Sequence, residues 1–278
     1  MAREKATGDV VVGADVDPLS AAVTARDTRV LDLVTDALNS KRAVLAYQPV
    51  MQAMAPSSPA FYEGLVRIHD HAGRFIPAKD FIAEVDDTET GRLIDCLALE
   101  LGLATLAKED GIRLSINMSA RSIGYGRWMK TLESGLARSP TVGERLILEI
   151  EEKSAMTTPE LVTAFMRDLQ GKGISFALDD FGAGYTSFRH LRNFVFDLVK
   201  IDGKFTRDIA ETPDNQVVVG AIQAVARQFD MFTVAGSVES RADADMLTAM
   251  GVDCLQGYHF GAPSLAEPWR ERPARRRI

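Results

Sequence analysis

Acidic, amide and basic side chains recur at the ends of short apolar runs along this chain. They are Glu63, Asn117, Glu149, the pair Asp179 and Asp180, Lys200, Glu239 and Gln256. A charged or amide group in a buried strand is unfavourable unless it has a partner or a function. Carboxylates that converge in one cleft raise each other's pKa unless a cation compensates them. Oxygen ligands of this kind favour Mg²⁺ or Mn²⁺.

Taken one at a time, these residues have ordinary explanations. Asn117 is typical of a turn, Lys200 of a surface stem with an exposed ammonium, and Gln256 carries little information. Asp179 and Asp180 are the strongest single signal, because they follow the apolar run SFAL and precede the glycine turn FGAG. The repetition of polar residues at the same place in successive units favours a shared metal site over separate surface roles.

Eight apolar runs of strand length carry these residues, at 43–51, 60–68, 113–119, 146–152, 175–181, 198–204, 232–239 and 254–260. Helical periodicity predicts helices near 91–109, 159–173, 214–229 and 240–251, and a further one at 27–41. Strands that alternate with helices predict a parallel α/β barrel of the TIM (β/α)₈ type, whose functional residues gather at the carboxyl ends of the strands.

The first two runs depart from this alternation. Only a short segment containing APSSP separates them, which is too short for a crossover helix, so they should form an antiparallel pair. We therefore expect a barrel that is irregular at its beginning, with a doubly wound open sheet as the structural alternative. Ser240 and Gly251 are predicted to cap helix 240–251, and Gly173 to end helix 159–173.

Composition places limits on function. The chain has 278 residues, is 46% hydrophobic and carries a net charge of −7, which predicts one globular domain with no general affinity for DNA or membranes. An anionic ligand would need local cations. The start lacks the apolar core of a signal peptide, and no apolar run is long enough to span a bilayer, so we expect a soluble cytoplasmic protein.

The ends of the chain and its two cysteines have ordinary structural interpretations. Residues 1–25 are interpreted as a loose arm, 26–267 as the folded domain and 268–278 as a basic tail. The run Arg275–Arg277 favours a solvated tail over a phosphate or partner contact. Cys96 and Cys254 lie in apolar contexts and are expected to be buried reduced thiols.

Ordered motifs from about residue 45 to 263 resemble the EAL family, whose active members are cyclic di-GMP phosphodiesterases. The matching segments are YQPV (47–50), EGLVR (63–67), NMS (117–119), LEIEE (148–152), DDFGAGYTSF (179–188), KID (200–202), QGYHF (256–260) and Pro263. The order of so many motifs makes this resemblance specific, whereas a single triplet would mean little.

The resemblance implies a role for each matching position. A first metal ion would be held by Glu63, Asn117, Glu149 and Asp179, and a second by Asp180 together with Asp179. Lys200 would hold and polarise the attacking water, and Gln256 would support the metal-bound waters. Glu152 would order the DDFGAGYTS loop. The nucleotide would be contacted by Gln48, Leu65 and Arg67, with Glu239 retained nearby.

The segment AGSVE departs from the family motif AEGVE. Gly236 stands where the family has the first glutamate, which helps to hold the second metal ion. Glu239 is kept, but it lies three residues further on and cannot take the same place without a backbone rearrangement. Smaller departures are Gly64, Glu151, Ala183 and Phe188, for Ala, Thr, Thr and Leu of the family motifs.

Two hypotheses follow from the resemblance. In the first, which Gly236 favours, the cleft binds cyclic di-GMP with Mg²⁺ or Mn²⁺ but hydrolyses it poorly, and the chain signals to an unknown protein partner. In the second, the retained ligands suffice for a working phosphodiesterase that releases the linear dinucleotide. Ca²⁺ would support binding without turnover, and a homodimer near the DDFG loop is possible by resemblance. An unrelated TIM-barrel enzyme is the third and weakest interpretation.

Overall fold

A computed structural model describes residues 30–139, 141–184 and 191–270. Within these ranges nine strands lie in one sheet: β1 (Ala43–Gln52), β2 (Ala55–His69), β3 (Phe75–Pro77), β4 (Leu114–Asn117), β5 (Leu146–Glu151), β6 (Ser175–Phe181), β7 (Leu198–Ile201), β8 (Phe232–Ala235) and β9 (Cys254–Leu255). Their order is β1-β9-β8-β7-β6-β5-β4-β2-β3, and β1 also pairs with β2, so eight strands close into a barrel. The short β3 pairs only with the C-terminal end of β2. The closure excludes the open-sheet alternative.

The expected irregular start is confirmed. β1 runs antiparallel to both β2 and β9, whereas the strands from β2 through β4 to β9 are parallel to one another. One detail of the prediction was wrong, because the APSSP segment does not lie outside the strands. β2 begins at Ala55 and includes this segment. Most of its residues are exposed, so a search for apolar periodicity does not detect it as a strand.

Helices fill most of the connections. They are α1 (30–39), α2 (Ile82–Val85), α3 (Glu89–Lys108), α4 (Gly126–Arg138), α5 (Glu152–Thr157), α6 (Pro159–Gln170), α7 (Gly203–Thr206), α8 (Pro213–Gln228) and α9 (Arg241–Ala249). The four helices predicted inside the domain correspond to α3, α6, α8 and α9, and the one predicted at 27–41 corresponds to α1. Sequence periodicity missed α4, which buries Trp128 and Leu132.

The helix ends follow the predicted capping chemistry in part. The Ser240 hydroxyl accepts a hydrogen bond of 3.1 Å from the Asp243 amide, and Gly251 has a φ of 84°, as expected for the two ends of α9. Helix α6 ends at Gln170, so Gly173 closes the turn that follows the helix, with a φ of 86°. Cys96 and Cys254 are buried free thiols, as expected.

Several strands are shorter than the apolar runs that predicted them. β7, β8 and β9 end at Ile201, Ala235 and Leu255. Lys200 therefore lies within β7, whereas Gly236, Glu239 and Gln256 follow the ends of β8 and β9. No helix in the described ranges combines the length and the apolar character needed to cross a membrane. The predicted arm 1–25 and most of the tail 268–278 lie outside the described residues.

Candidate metal and ligand site at the barrel mouth

An apolar layer inside the barrel sets the position of the site. It consists of Val50, Phe61, Ile147, Ala177, Leu198, Val234 and Cys254, one from each of seven strands. Side chains two residues apart on a strand face the same side. Two residues further toward the mouth therefore lie, in the same strand order, Gln48, Glu63, Glu149, Asp179, Lys200, Gly236 and Gln256. Asn117 extends this mouth ring from β4, two residues after the buried Ser115.

Glu63 is the hub of the mouth ring. Its Oε1 accepts a hydrogen bond of 2.8 Å from the amide nitrogen of Asn117. Its Oε2 accepts bonds of 2.6 Å from Gln256 Nε2 and 3.1 Å from Lys200 Nζ. Burial of Glu63 favours its neutral form, but the Lys200 ammonium and the two amide donors outweigh burial and lower its pKa. Glu63 is therefore an anion held in one orientation by three strands.

Lys200 lies among the carboxylates of the mouth ring. Its Nζ is 2.5 Å from Glu149 Oε2, 3.1 Å from Glu63 Oε2 and 3.3 Å from Asp179 Oδ1. Burial opposes the charged form of Lys200, yet the three carboxylates keep its pKa well above the ordinary lysine value. The ammonium therefore stays charged and acts as an internal counter-ion.

Within the described residues the mouth ring is short of positive charge, since three carboxylates face a single ammonium. Burial and the negative charge of Glu63 raise the pKa of Glu149 to about 8. The second oxygen of Glu149, Oε1, is buried and has no hydrogen-bond partner in the part of the chain that the structure describes. A buried carboxylate oxygen without a donor is unfavourable, and a cation would satisfy it. The donor set of carboxylates and an amide thus fits a hard divalent ion.

The carboxylates do not yet surround a common point. Among the described residues, no three His, Cys, Asp or Glu side chains are arranged so that they could hold a metal ion as they stand. Lys200 separates Glu63, Glu149 and Asp179, and Asn117 turns its amide nitrogen toward Glu63. Binding a cation would therefore require these side chains to rearrange, with Lys200 giving up some of its contacts.

Asp180 lies beyond the mouth ring with a strained backbone. Its φ is 53°, a left-handed conformation that costs energy in any residue other than glycine. Loss of hydration in the cleft, then the charges of Asp179 and Asp202, raise the pKa of Asp180 to about 6, although the residue as a whole is exposed. A second acid held close to Asp179 in this way is an arrangement that a cation would stabilise.

Glu152 supports the turn that follows Asp180. It is the first residue of α5 and is fully buried, and its Oε2 accepts a hydrogen bond of 3.1 Å from the amide of Gly182. Its other oxygen, Oε1, is buried without a partner among the described residues. Glu152 thus contacts the start of the DDFGAGYTS loop, of which residues 185–190 lie outside the described residues, and its role in ordering that loop stays a prediction.

The predicted nucleotide contacts lie on β1 and β2. Gln48 belongs to the mouth ring, because its Oε1 accepts a bond of 3.2 Å from Gln256 and its Nε2 donates to the carbonyl of Gly261 at 3.1 Å. Leu65 and Arg67 follow Glu63 on the same face of β2 and are half-buried. The carbonyl of Gly261 was not among the predicted site residues, and no side-chain signal could have indicated it.

The β8 position of the mouth ring has no side chain. A Cβ added to Gly236 would meet only the carbonyl oxygen of Ile201, at an ordinary 3.7 Å, so packing does not require glycine there. Glu239 is not brought to the mouth ring. It is half-exposed, and its Oε1 lies 3.7 Å from Nε of Arg207. The chain turns away at Ser237, whose φ is 56°.

The comparisons with known proteins agree with this geometry. The EAL domain profile matches residues 32–263, and the chain belongs to this family. Cyclic di-GMP phosphodiesterase PdeB of Shewanella oneidensis is 30% identical over 251 residues, 87% of this chain and 29% of PdeB. Bifunctional diguanylate cyclase/cyclic di-GMP phosphodiesterase MucR of Pseudomonas aeruginosa is 29% identical over 83% of this chain and 34% of MucR. The chain thus spans about a third of these relatives.

Solved structures share the barrel. The PaMucR phosphodiesterase in complex with c-di-GMP superposes with a TM-score of 0.75 at 27% identity, over 87% of this chain and 99% of that one. The FimX EAL domain from Pseudomonas aeruginosa bound to c-di-GMP gives a TM-score of 0.77 at 23% identity, over 85% and 97% of the two chains. At this identity, the likeness to the FimX domain shows a shared fold and no more.

Proposed function

We propose that the barrel mouth binds cyclic di-GMP together with Mg²⁺ or Mn²⁺, and that hydrolysis to the linear dinucleotide is impaired by Gly236. The family and the cyclic di-GMP phosphodiesterases among the relatives support the ligand. The charge deficit of the mouth ring and the unpartnered Glu149 oxygen support the cation. A bound cation also explains how an acidic chain could accept a phosphodiester.

The proposed cation ligands are Glu63, Asn117, Glu149 and Asp179, with Asp180 contributing to a second position. When bound, divalent cations supply a water of lowered pKa and a clamp on the phosphate. Lys200 is already held near three of these carboxylates, within reach of a water that it could orient. Gln48, Leu65 and Arg67 line β1 and β2, where the nucleotide would contact the protein, and Gln256 would fix Glu63 through its 2.6 Å bond.

One observation carries the proposal of impaired hydrolysis. Every other strand of the parallel part of the barrel presents a polar side chain at the mouth, whereas β8 presents Gly236. A missing electrostatic group of this kind typically lowers kcat by about 10²–10³-fold. Glu239 does not replace it, because its carboxylate pairs with Arg207 on the outside.

A working phosphodiesterase is the second candidate. It is favoured by the retention of Lys200 and of both Asp179 and Asp180, which offer acids to two cations. Under this candidate, turnover would not depend on a side chain at position 236.

The test separates binding from turnover. Calorimetry with cyclic di-GMP in Ca²⁺ measures binding, and chromatography of the linear product in Mg²⁺ or Mn²⁺ measures hydrolysis. We expect wild-type binding with slow turnover. Gly236→Glu should raise kcat by about 10²-fold or more. Gly236→Gln should not, because the glutamine side chain matches glutamate in size but carries no charge.

The outcomes are distinct. Absence of binding by a folded wild-type chain would refute the proposed ligand. Fast wild-type turnover that Gly236→Glu leaves unchanged would refute the impairment and establish the working enzyme. An equal gain from Gly236→Glu and Gly236→Gln would mean that the glycine acts through backbone freedom rather than through the missing carboxylate.

A further inference from the structure

Asp95 is a buried acid that the site described above does not use. It lies in the first half of α3 and is 8% exposed. Its Oδ2 accepts hydrogen bonds of 2.9 Å from the amide of Ser119 and 2.6 Å from the hydroxyl of Ser122. Both donors are neutral, so the carboxyl group is not held by a basic side chain through these bonds. A buried acid with such partners is costly and calls for a reason.

The segment that Asp95 holds comes directly after Asn117. Its backbone amides are satisfied one by one: Met118 donates to the carbonyl of Glu149 at 2.9 Å, Ser119 to Asp95, and Ala120 to the Ser154 hydroxyl at 2.8 Å. Two further bonds close the turn within the segment, from Ser122 N to Ser119 O and from Ile123 N to Ala120 O. The anchor loop 118–123 is therefore tied to α3 by Asp95 and to α5 by Ser154.

Asn117 itself has weak support. It is the last residue of β4 and is exposed, and its amide is fixed by one bond to Glu63. The direction of its side chain depends on where the chain goes next. Because Ser119 is only two residues later, a shift of the anchor loop would be transmitted to Asn117 through a short stretch of backbone.

We infer that Asp95 is a positioning residue, which fixes the anchor loop and through it the orientation of Asn117 toward the cation site. This inference rests on the proposed function for its metal readout. Asp95 does not touch the ligand, and its role is to limit the directions that Asn117 can take. Groups that orient a metal ligand from behind typically contribute about 10–100-fold to metal affinity.

The role requires an acceptor oxygen rather than a negative charge. Both bonds go to one oxygen, Oδ2, and burial raises the pKa of Asp95 to about 7, so the neutral acid is populated at physiological pH. Asparagine has the same shape and one acceptor oxygen, whereas alanine leaves the Ser119 amide and the Ser122 hydroxyl without a partner. The two variants therefore separate positioning from charge.

The experiment compares Asp95→Ala, Asp95→Asn and Leu99→Ala in the full chain. Manganese affinity is measured by electron paramagnetic resonance, and amide hydrogen exchange is measured over residues 118–123. We expect Asp95→Ala to weaken Mn²⁺ binding about 10–100-fold and to speed exchange in the anchor loop, with Asp95→Asn close to wild type. Leu99 is buried on the same helix, so its variant controls for general loss of stability.

Wild-type Mn²⁺ affinity and exchange in a folded Asp95→Ala would overturn the inference, as would an equal loss of affinity in Leu99→Ala. If Asp95→Ala does not fold, Ser122→Ala, which removes one of the two bonds, should still speed exchange at Ser119, and no change there would refute the role. If the wild type binds no Mn²⁺, the proposed function fails, while hydrogen exchange still tests the anchor.

Discussion

Two sets of residues alternate around the barrel mouth and are held differently. The first set, here called the strand side, consists of Glu63, Glu149 and Lys200, which lie within β2, β5 and β7 and are joined by direct hydrogen bonds. The second set, here called the turn side, consists of Asp180 near the end of β6 and Gly236 just after β8, and both Asp180 and the neighbouring Ser237 have left-handed backbones. The strand side is held together by its own hydrogen bonds, whereas the turn side is strained and lacks a side chain at Gly236.

The comparison separates holding a ligand from reacting with it. Groups within strands are held close together before any ligand arrives, so they suit binding once Lys200 gives up some of its contacts. Groups on the turns depend on loop geometry, and loss of one leaves the barrel intact because no packing rests on it, as the open space around Gly236 shows. Chemistry can therefore be lost from the turn side without loss of the fold. The following predictions test this division.

The largest effect is expected from Lys200→Met, on the strand side. Removing the ammonium leaves Glu63, Glu149 and Asp179 without a counter-ion, which should lower the free energy of unfolding by about 3–5 kcal/mol. Saturating Mn²⁺ should restore much of this, because the cation binds the folded state. Urea unfolding with and without Mn²⁺ measures both effects.

Lys204→Met is the matched control for this change. Lys204 pairs with Asp202 at 3.4 Å on the surface, so its loss should cost no more than about 1 kcal/mol. Equal destabilisation by the two variants would contradict the view that Lys200 is the internal counter-ion of the site.

A pH dependence is expected from Asp95, the buried acid that holds the anchor loop. Burial, opposed by Ser122 and Ser119 and reinforced by Asp86, raises its pKa to about 7 from an ordinary 3.8. The folded state then holds a proton that the unfolded chain releases. The contribution of Asp95 to the free energy of unfolding should therefore fall by about 1.4 kcal/mol per pH unit from pH 3.8 to about pH 7. Above pH 7 it should level off.

Asp95→Asn should remove this slope. Urea unfolding at several pH values, with the wild type measured in parallel, isolates the contribution of Asp95 from those of Glu149 and Asp180. Parallel curves for the two proteins would show that Asp95 is ionised in the folded state at all these pH values.

Relief of strain is expected on the turn side. Asp180→Gly removes both the left-handed strain and a carboxylate that repels Asp179, so it should stabilise the metal-free protein by about 1 kcal/mol. Asp208→Gly relieves the same φ of 53° away from the mouth. Thermal unfolding should show a gain in both, and only Asp180→Gly should weaken Mn²⁺ binding. A loss of stability in Asp180→Gly would argue that the strand side needs Asp180.

The smallest effect is expected from Glu239→Gln. Its exposed pair with Arg207 at 3.7 Å contributes at most about 1 kcal/mol to stability. Calorimetry should show unchanged cyclic di-GMP binding. A large loss of affinity would mean that Glu239 moves into the mouth when the ligand binds. The prediction that Glu239 is a ligand-binding residue requires such a movement.

Much of the strand side could be predicted from the sequence. Period-two alternation places Glu63, Glu149 and Lys200 on the inner face of their strands, two residues beyond an apolar partner, and that pattern is local. The antiparallel start followed from the short connection before β2. The resemblance added the roles of these residues, and those roles stay predictions.

The turn side could not be predicted in the same way. No local apolar pattern indicates the left-handed φ of Asp180 and Ser237, and Glu239 lies near Arg207, which is distant in sequence. Asp95 was overlooked for another reason. A single acid in the apolar segment LIDCLAL was a visible signal, but helical periodicity alone does not say that its face is buried against the anchor loop.

The two-residue offset between the apolar layer and the mouth ring has a consequence for how such a protein can change. Inserting or deleting one residue within any of these strands would turn its functional group to the outside and bring an outward-facing residue into the barrel, which would cost folding as well as chemistry. Substitution at Gly236, around which no packing depends on glycine, carries no such penalty. The architecture thus allows the turn side to lose a functional group while the barrel keeps its fold.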